Sequence, residues 1–152
     1  MLYYLSAASY SRLVGVHPQL VAVIERAITI TPIDFGIPRD GGLRLAKRQK
    51  ELFDDPEIQT NCDGYKVLSP HQALIEGDSL SYGRAIDFFP YVMRKASYDP
   101  VHVAIVGSCI MSTAELMRQD GDISIRLRWG LNFGSRIYKG WDGCHIEIID
   151  YG

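Results

Sequence analysis

The sequence predicts an α+β fold in which helices pack on a small antiparallel sheet. Segments with apolar residues at helical spacing occupy the first third and the middle of the chain. Near the end, two segments alternate apolar and polar residues as half-buried strands do, and no internal repeat or linker divides the sequence. At 152 residues and 47% hydrophobic composition, the chain is long enough for one domain with a substantial core. We therefore expect a single domain that spans residues 1–152.

The first predicted helix is His17–Ile30, "HPQLVAVIERAITI". Leu20 and Ile24 lie on one helical face, and Pro18 suits the first turn because an N–H there would have no partner within the helix. The short apolar stretch 33–37 follows and predicts a strand that leaves into the loop "PRDGG".

Two more helices are predicted further along the chain. Residues 43–53 are good helix formers, and Pro56 lies just beyond the end of that segment. A long apolar segment has Asp99 as N-cap and Pro100 as first residue, and it ends near Gly121. This segment is apolar enough to be a central core helix.

Three strands are predicted in the second half of the chain, at residues 85–90, 123–129 and 145–149. We expect the last two to be neighbours in one antiparallel sheet. In the predicted strand 85–90, Asp87 is an acid among apolar residues. A lone carboxylate in that setting is costly unless it is paired or bound to a cation.

The composition argues against several classes of partner. With 16 basic and 18 acidic residues, the net charge of −2 offers no positive field for binding nucleic acid. The N-terminus lacks the features of a signal peptide, and no window approaches the roughly 18 apolar residues of a membrane-spanning helix. The three cysteines, Cys62, Cys109 and Cys144, form no CxxC pair, so we expect free thiols rather than a disulfide framework or a structural zinc site.

The closing segment "WDGCHIEIID" contains one histidine among acids. His145 and Glu147 are two positions apart and share a face of the predicted strand. A histidine in this position is more often a hydrogen-bonded structural residue than a ligand, but Asp87 and the upstream His71 offer two further donors. Two histidines and one carboxylate from three segments form a catalytic rather than a structural zinc set, because the fourth position stays open to water.

Two neighbours of His145 have separate interpretations. Asp142 could accept the proton of the attacking water, or it could simply belong to an Asp-Gly turn. Alternation turns Cys144 away from the face of His145, so we expect this thiol to pack rather than to bind zinc.

The segments "SPH…YGRAIDFFPY" and "WDGCHIE" resemble the paired motifs S-x-H…G-x-A-x-D and D-x-x-H-x-E. These motifs are typical of the zinc peptidase family of D-Ala-D-Ala carboxypeptidases and L-alanyl-D-glutamate peptidases. Within that family the chain is most similar to single-domain phage endolysins, over most of its length. The resemblance implies His71, Asp87 and His145 as zinc ligands and Asp142 as general base.

The resemblance also implies roles for three other residues. Arg44, in the context "GGLR", would hold the scissile carbonyl as negative charge develops on it. From the residues alone, Arg44 could instead be a solvated residue in the first turn of a helix. Glu147 would fix the orientation of a ligand, and Ser69 would have a supporting role.

The chain departs from the family pattern between the first histidine and the aspartate. His71 and Asp87 are sixteen positions apart, which is much farther than the family usually places them. Either loop 72–81 is an insertion, which closure entropy tolerates well, or His71 is misassigned. His17 and His102 are poor substitutes, because the first precedes a helix-starting proline and the second lies near the start of the long helix.

The resemblance implies a zinc-dependent phage endolysin that hydrolyses the L-Ala–D-Glu bond of the peptidoglycan stem peptide. We expect a monomer that does not insert into membranes, is made in the host cytoplasm without a signal peptide, and reaches the periplasm after release by another phage protein. The absence of a wall-binding domain fits a Gram-negative host. A D-Ala-D-Ala carboxypeptidase is the alternative within the family. The alternative that is not an enzyme is a non-catalytic wall-binding or virion module.

Overall fold

The computed structural model describes residues 1–73, 75–76, 79–132 and 142–152. The helices of these ranges are α1 Ala7–Arg12, α2 Pro18–Ile30, α3 Ala46–Asp54 and α4 Pro100–Gln119. The strands are β1 Phe35–Gly36, β2 Ile75–Glu76, β3 Ser79–Leu80, β4 Ala85–Asp87, β5 Phe89–Val92, β6 Lys95–Ala96, β7 Arg126–Trp129 and β8 His145–Asp150.

The described strands form three small antiparallel sheets. Their orders are β1-β5-β6, β2-β3 and β4-β8-β7. In the third sheet, Asp87 lies opposite His145, and Ala85 lies opposite Glu147. The predicted α+β fold is therefore confirmed, as is the antiparallel pairing of the last two predicted strands.

The core lies between the β4-β8-β7 sheet and the helices α2 and α4. α2 packs on α4, and α4 packs on β7. Fully buried side chains from these elements include Leu20, Ile24, Ile86, Ile110 and Ile146. At Gly107 the helix α4 comes so close to β7 that an added Cβ would lie 2.2 Å from the Trp129 ring. This packing holds the sheet, and the site residues on it, against a rigid helical layer.

The first and last predicted helices are confirmed, the last together with its predicted N-cap. α2 begins at Pro18, and the Nδ1 atom of its N-cap, His17, accepts a hydrogen bond from the Gln19 N–H at 3.2 Å. α4 begins at Pro100, and the Asp99 side chain accepts a hydrogen bond from the first turn. Both prolines occupy positions where no intrahelical N–H bond is lost.

The second predicted helix begins later than the sequence indicated. α3 starts at Ala46 rather than at residue 43, because Leu45 is extended and the Arg44 N–H donates to the His71 carbonyl at 2.9 Å. The chain before α3 is thus bound to the loop that carries His71.

The predicted strand 85–90 is divided between two sheets. β4 pairs with β8, whereas β5 pairs with β1 and β6. The chain changes sheets at Phe88, whose N–H donates to the Cys144 carbonyl at 2.9 Å and whose side chain is fully buried. Two of the other predicted strands, 33–37 and 123–129, are shortened to β1 and β7, and the predicted strand 145–149 corresponds to β8.

The helix α4 is long and apolar enough to cross a membrane, judged by length and composition alone. The expectation that no segment reaches these limits is therefore wrong for α4. Core helices of soluble proteins reach them too. The buried face of α4, which includes Val103, Val106 and Ile110, packs on α2 and β7, and this packing accounts for its apolar character.

The segment between β1 and α3 is fixed against α1. The Arg12 guanidinium donates to the Ile37 carbonyl at 2.7 Å. A Cβ added at Gly42 would lie 1.8 Å from the Arg12 carbonyl oxygen, so no other residue fits there without moving the backbone. This segment delivers Arg44 and several backbone carbonyls to the site described below.

Candidate active site

Three side chains that were predicted as metal ligands meet beside the β4-β8-β7 sheet. Asp87 ends β4 and His145 begins β8, so the antiparallel register places them side by side. The atom His145 Nδ1 lies 3.0 Å from Asp87 Oδ1 and 3.2 Å from His71 Nε2, and the third distance, His71 Nε2 to Asp87 Oδ1, is 3.3 Å. His71 is 2% exposed and the Asp87 side chain 23% exposed, so the group is buried but open on one side.

Hydrogen bonds behind the two imidazoles determine which nitrogen faces the centre. The Nδ1–H of His71 donates to the Gly42 carbonyl, which can only accept, at 2.8 Å. The Nε2–H of His145 donates to Glu147 Oε2 at 3.0 Å. His71 Nε2 and His145 Nδ1 can therefore direct lone pairs toward Asp87. Three electron-pair donors this close repel one another unless a cation or a proton lies between them.

The spacing of these atoms fits a small tetrahedral metal ion. Ligand bonds of about 2.0–2.1 Å in a tetrahedral zinc site place ligand atoms about 3.3 Å apart. The three observed distances, 3.0, 3.2 and 3.3 Å, are close to this value. His71, Asp87 and His145 can thus hold a metal ion, with one position left for a further ligand.

The protonation of the group follows from the same contacts. Burial alone would raise the pKa of Asp87, but the charges and hydrogen bonds of His71 and His145 outweigh it and hold that pKa well below its usual range. Burial would lower the pKa of His145, yet the hydrogen bonds to Asp87 and Glu147 raise it to about 9. In the metal-free chain a proton on His145 therefore occupies the place that a cation can take.

Glu147 is connected to a residue that the sequence analysis missed. The Arg128 Nε–H donates to Glu147 Oε1 at 3.0 Å, and its Nη2 contacts the same oxygen. Burial would raise the pKa of Glu147, but His145 and Arg128 lower it overall, so its carboxylate stays charged. Arg128 lies opposite Glu147 in the β7-β8 register, and the alternation of "RLRW" against "HIEII" was the signal that could have revealed this cross-strand pair.

Asp142 lies at the entrance to β8. Its carbonyl accepts from the His145 N–H at 3.1 Å, so the turn interpretation holds for its backbone. Its side chain lines the same cavity as the metal-binding group, and burial raises the pKa of its carboxyl above the usual value. Among the described residues, this carboxylate has no hydrogen-bonded or ion-paired partner. The preceding residue of the motif, Trp141, lies outside the described residues.

The Arg44 guanidinium is held by three acceptors. Its Nη2 donates to Asp87 Oδ2 at 2.8 Å, its Nε to the Asp40 carbonyl at 2.7 Å, and its Nη1 to Gln49 Oε1 at 3.3 Å. The side chain is 15% exposed, so it is not a solvated helix residue. Gln49 is fully buried and also donates to the Cys62 carbonyl at 2.9 Å. Its helical spacing with apolar residues of α3 hid this role in the sequence.

Ser69 supports the turn that carries His71. Its Oγ accepts from the His71 N–H at 3.3 Å, and its own N–H donates to Gln72 Oε1 at 2.9 Å. In the part of loop 72–81 that the structure describes, β2 and β3 pair as neighbouring strands; residues 74, 77 and 78 lie outside it. The long spacing between His71 and Asp87 in the sequence therefore does not prevent the two side chains from lying together.

The remaining histidines and cysteines lie in other surroundings. His17 caps α2, and the Nδ1 atom of His102 lies 2.8 Å from Ser97 Oγ. All three cysteines are free thiols, as predicted. Cys144 packs against the hydrophobic core, and its burial raises the pKa of the thiol to about 11, so the expectation of a packing role is confirmed.

The site opens into a cavity of about 900 Å³. Its charged lining consists of four arginines and four carboxylates, together with the two histidines: Arg39, Arg44, Arg48, Arg128, Asp40, Asp87, Asp142, Glu147, His71 and His145. A buried ligand group for a metal, an adjacent carboxyl and a fixed guanidinium on one open cavity are the components of a metal-dependent hydrolase.

Comparison with known proteins identifies the family. The family model described as phage L-alanyl-D-glutamate peptidase matches residues 1–149, so the chain belongs to this family and is a peptidase. A similar solved structure is the L-Ala D-Glu endopeptidase ChiX of Serratia marcescens. It is 25% identical with a TM-score of 0.67, and the match covers 93% of this chain and 86% of that one. No match was found among the curated proteins. The predicted membership is thus confirmed.

Proposed function

We propose that this peptidase uses a zinc ion, held by His71, Asp87 and His145, to hydrolyse the L-Ala–D-Glu bond of the peptidoglycan stem peptide. The family match and the similarity to an L-Ala D-Glu endopeptidase support the bond specificity. The metal assignment rests on three donor atoms that lie 3.0–3.3 Å from one another. Hydrogen bonds to the opposite nitrogen of each imidazole hold both rings in the orientation that a ligand needs.

The donor set favours zinc over other common cations. Two imidazole nitrogens and one carboxylate oxygen suit Zn²⁺, whereas Mg²⁺ and Ca²⁺ prefer oxygen ligands alone. When bound, Zn²⁺ supplies Lewis acidity toward the scissile carbonyl and toward the attacking water. The neutral, oriented imidazoles and the carboxylate of Asp87 supply its coordination.

Asp142 is the proposed general base. Its carboxyl lines the cavity beside the metal-binding group and has a pKa raised by burial, which makes it a better proton acceptor than a solvated aspartate. In the proposed reaction it takes the proton of the attacking water and then passes it to the leaving amine of D-Glu. The amide C–N bond breaks in that step, and L-Ala keeps a new carboxylate.

Arg44 is the proposed stabiliser of the charge that develops on the carbonyl oxygen. Its contacts with the Asp40 carbonyl and Gln49 fix the guanidinium before the substrate binds, so little reorganisation is needed during the reaction. Glu147 and Ser69 are positioning residues in this scheme, since they contact His145 and His71 rather than the substrate.

We further propose that residues 1–152 act as a single domain and a monomer, in lysis of the host cell from the periplasmic side. Digestion of purified peptidoglycan by the zinc-loaded protein tests the specificity. New N-terminal D-Glu and new C-terminal L-Ala are expected. Release of free D-Ala would instead show a carboxypeptidase, and intact peptidoglycan would show a non-catalytic module. Asp142→Asn is the matched inactive control.

A further inference from the structure

The arginines of the cavity differ in whether the protein itself neutralises them. Arg44 pairs with Asp87, Arg48 pairs with Asp40 at 2.9 Å, and Arg128 pairs with Glu147. Arg39 lines the same cavity and is exposed, but it makes no ion pair or side-chain hydrogen bond with the described part of the chain. Arg39 is therefore the cavity arginine without an acid partner in the described part of the chain, and its guanidinium can form a full ion pair with a ligand.

Arg39 lies at the tip of a tight turn. The Gly41 N–H donates to the Pro38 carbonyl at 2.9 Å, which places Arg39 and Asp40 at the two central positions. Asp40 has a φ of 63°, as the third residue of a type II turn requires. The Asp40 carboxylate accepts two hydrogen bonds from Arg48 of α3, which fix this conformation from outside.

The turn is attached directly to the metal-binding group. The Asp87 N–H donates to the Gly41 carbonyl at 2.7 Å, and His71 Nδ1–H donates to the next carbonyl, Gly42. The Arg44 guanidinium donates to both the Asp40 carbonyl and the Asp87 carboxylate and so bridges the turn and the metal-binding group. The backbone of Arg39 is therefore held at a fixed place beside the ligands, and its side chain lines the cavity into which the metal-binding group opens.

We propose that Arg39 is a specificity-determining residue that binds a free carboxylate of the substrate on the leaving-group side. This inference rests on the proposed function. A D-Glu residue that continues the peptide through its γ-carboxyl keeps its α-carboxylate free, on the same carbon that bears the scissile nitrogen. A guanidinium can bind such a carboxylate through two parallel hydrogen bonds, which gives direction as well as affinity.

Two synthetic stem peptides test the proposal with the zinc-loaded enzyme. They differ only at D-Glu, which carries either a free α-carboxylate or an α-carboxamide. Wild type is expected to cleave the acid with kcat/KM at least about tenfold above that of the amide, as the loss of one charge-assisted hydrogen-bonded pair predicts. Arg39→Gln is expected to remove this preference by lowering kcat/KM for the acid alone. Arg39→Lys should restore part of it.

Arg26→Gln is the matched control, because Arg26 is exposed on α2 and does not line the cavity. It should keep the wild-type preference. An Arg39→Gln enzyme that still prefers the acid as wild type does, or that loses activity equally on both peptides, would overturn the proposal. Wild type that cleaves neither peptide between L-Ala and D-Glu would refute the proposed function instead.

Discussion

Replacement of Glu147 tests how far the metal-binding group depends on the residues behind it. Glu147→Ala removes the acceptor of the His145 Nε2–H, a 3.0 Å bond between side chains that are 7% and 9% exposed. A charge-assisted bond in such a buried place contributes about 1.5–3 kcal/mol. This energy corresponds to about a 10- to 100-fold rise in the zinc dissociation constant. Glu147→Gln keeps an oxygen acceptor without the charge, so its effect should be smaller.

The assay is competition for zinc against a chromophoric chelator at a fixed pH. The expected order of affinity is wild type, then Glu147→Gln, then Glu147→Ala. Glu25→Ala, on the exposed surface of α2, is the control and should bind zinc as wild type does. Wild-type zinc affinity in Glu147→Ala would refute the argument that this carboxylate orients and polarises His145.

Three further outcomes are expected. Asp142→Asn should lower kcat by about 10²- to 10⁴-fold while zinc content stays unchanged, and unchanged activity in peptidoglycan digestion would remove its role as base. In the metal-free protein the pKa of His145 is raised from 6.5 to about 9. Its stabilising contribution is therefore complete below pH 6.5 and is lost between pH 6.5 and 9, by at most about 3 kcal/mol. Urea unfolding across this range should show the decline, and a flat profile would contradict the raised pKa. Gly107→Ala should lower the free energy of unfolding by about 1–3 kcal/mol, because its Cβ would meet the Trp129 ring, and an unchanged urea midpoint would show that the ring can move.

The parts of the site that the sequence predicted are those with a local signal. Asp142, His145 and Glu147 lie within six residues, and period-2 alternation already places the last two on one face of a strand. Asp87 was recognisable because an acid within an apolar strand needs a partner. The starts of α2 and α4 had equally local signals, since Pro18 marks the first and the pair Asp99-Pro100 marks the second.

The parts that the sequence could not predict depend on contacts between distant segments. Arg44, His71 and Asp87 are joined by backbone and side-chain bonds across loops, so the Arg44–Asp87 pair has no periodic signature. Gln49 looked like one more residue of a helix face. The division of the strand 85–90 follows from two different pairing partners, which a single segment does not specify. The long spacing between His71 and Asp87 left the assignment of His71 as a ligand open in the sequence. The position of His71 beside His145 supports that assignment.

The metal content of the purified protein tests the central claim most directly. Wild type, freed of loosely bound metal by dialysis, should contain one zinc ion per chain, and His71→Ala should contain much less while it keeps the circular dichroism spectrum of the fold. Zinc content near zero in wild type after zinc loading, or an unchanged content in His71→Ala, would contradict the assignment of His71, Asp87 and His145 as a zinc site.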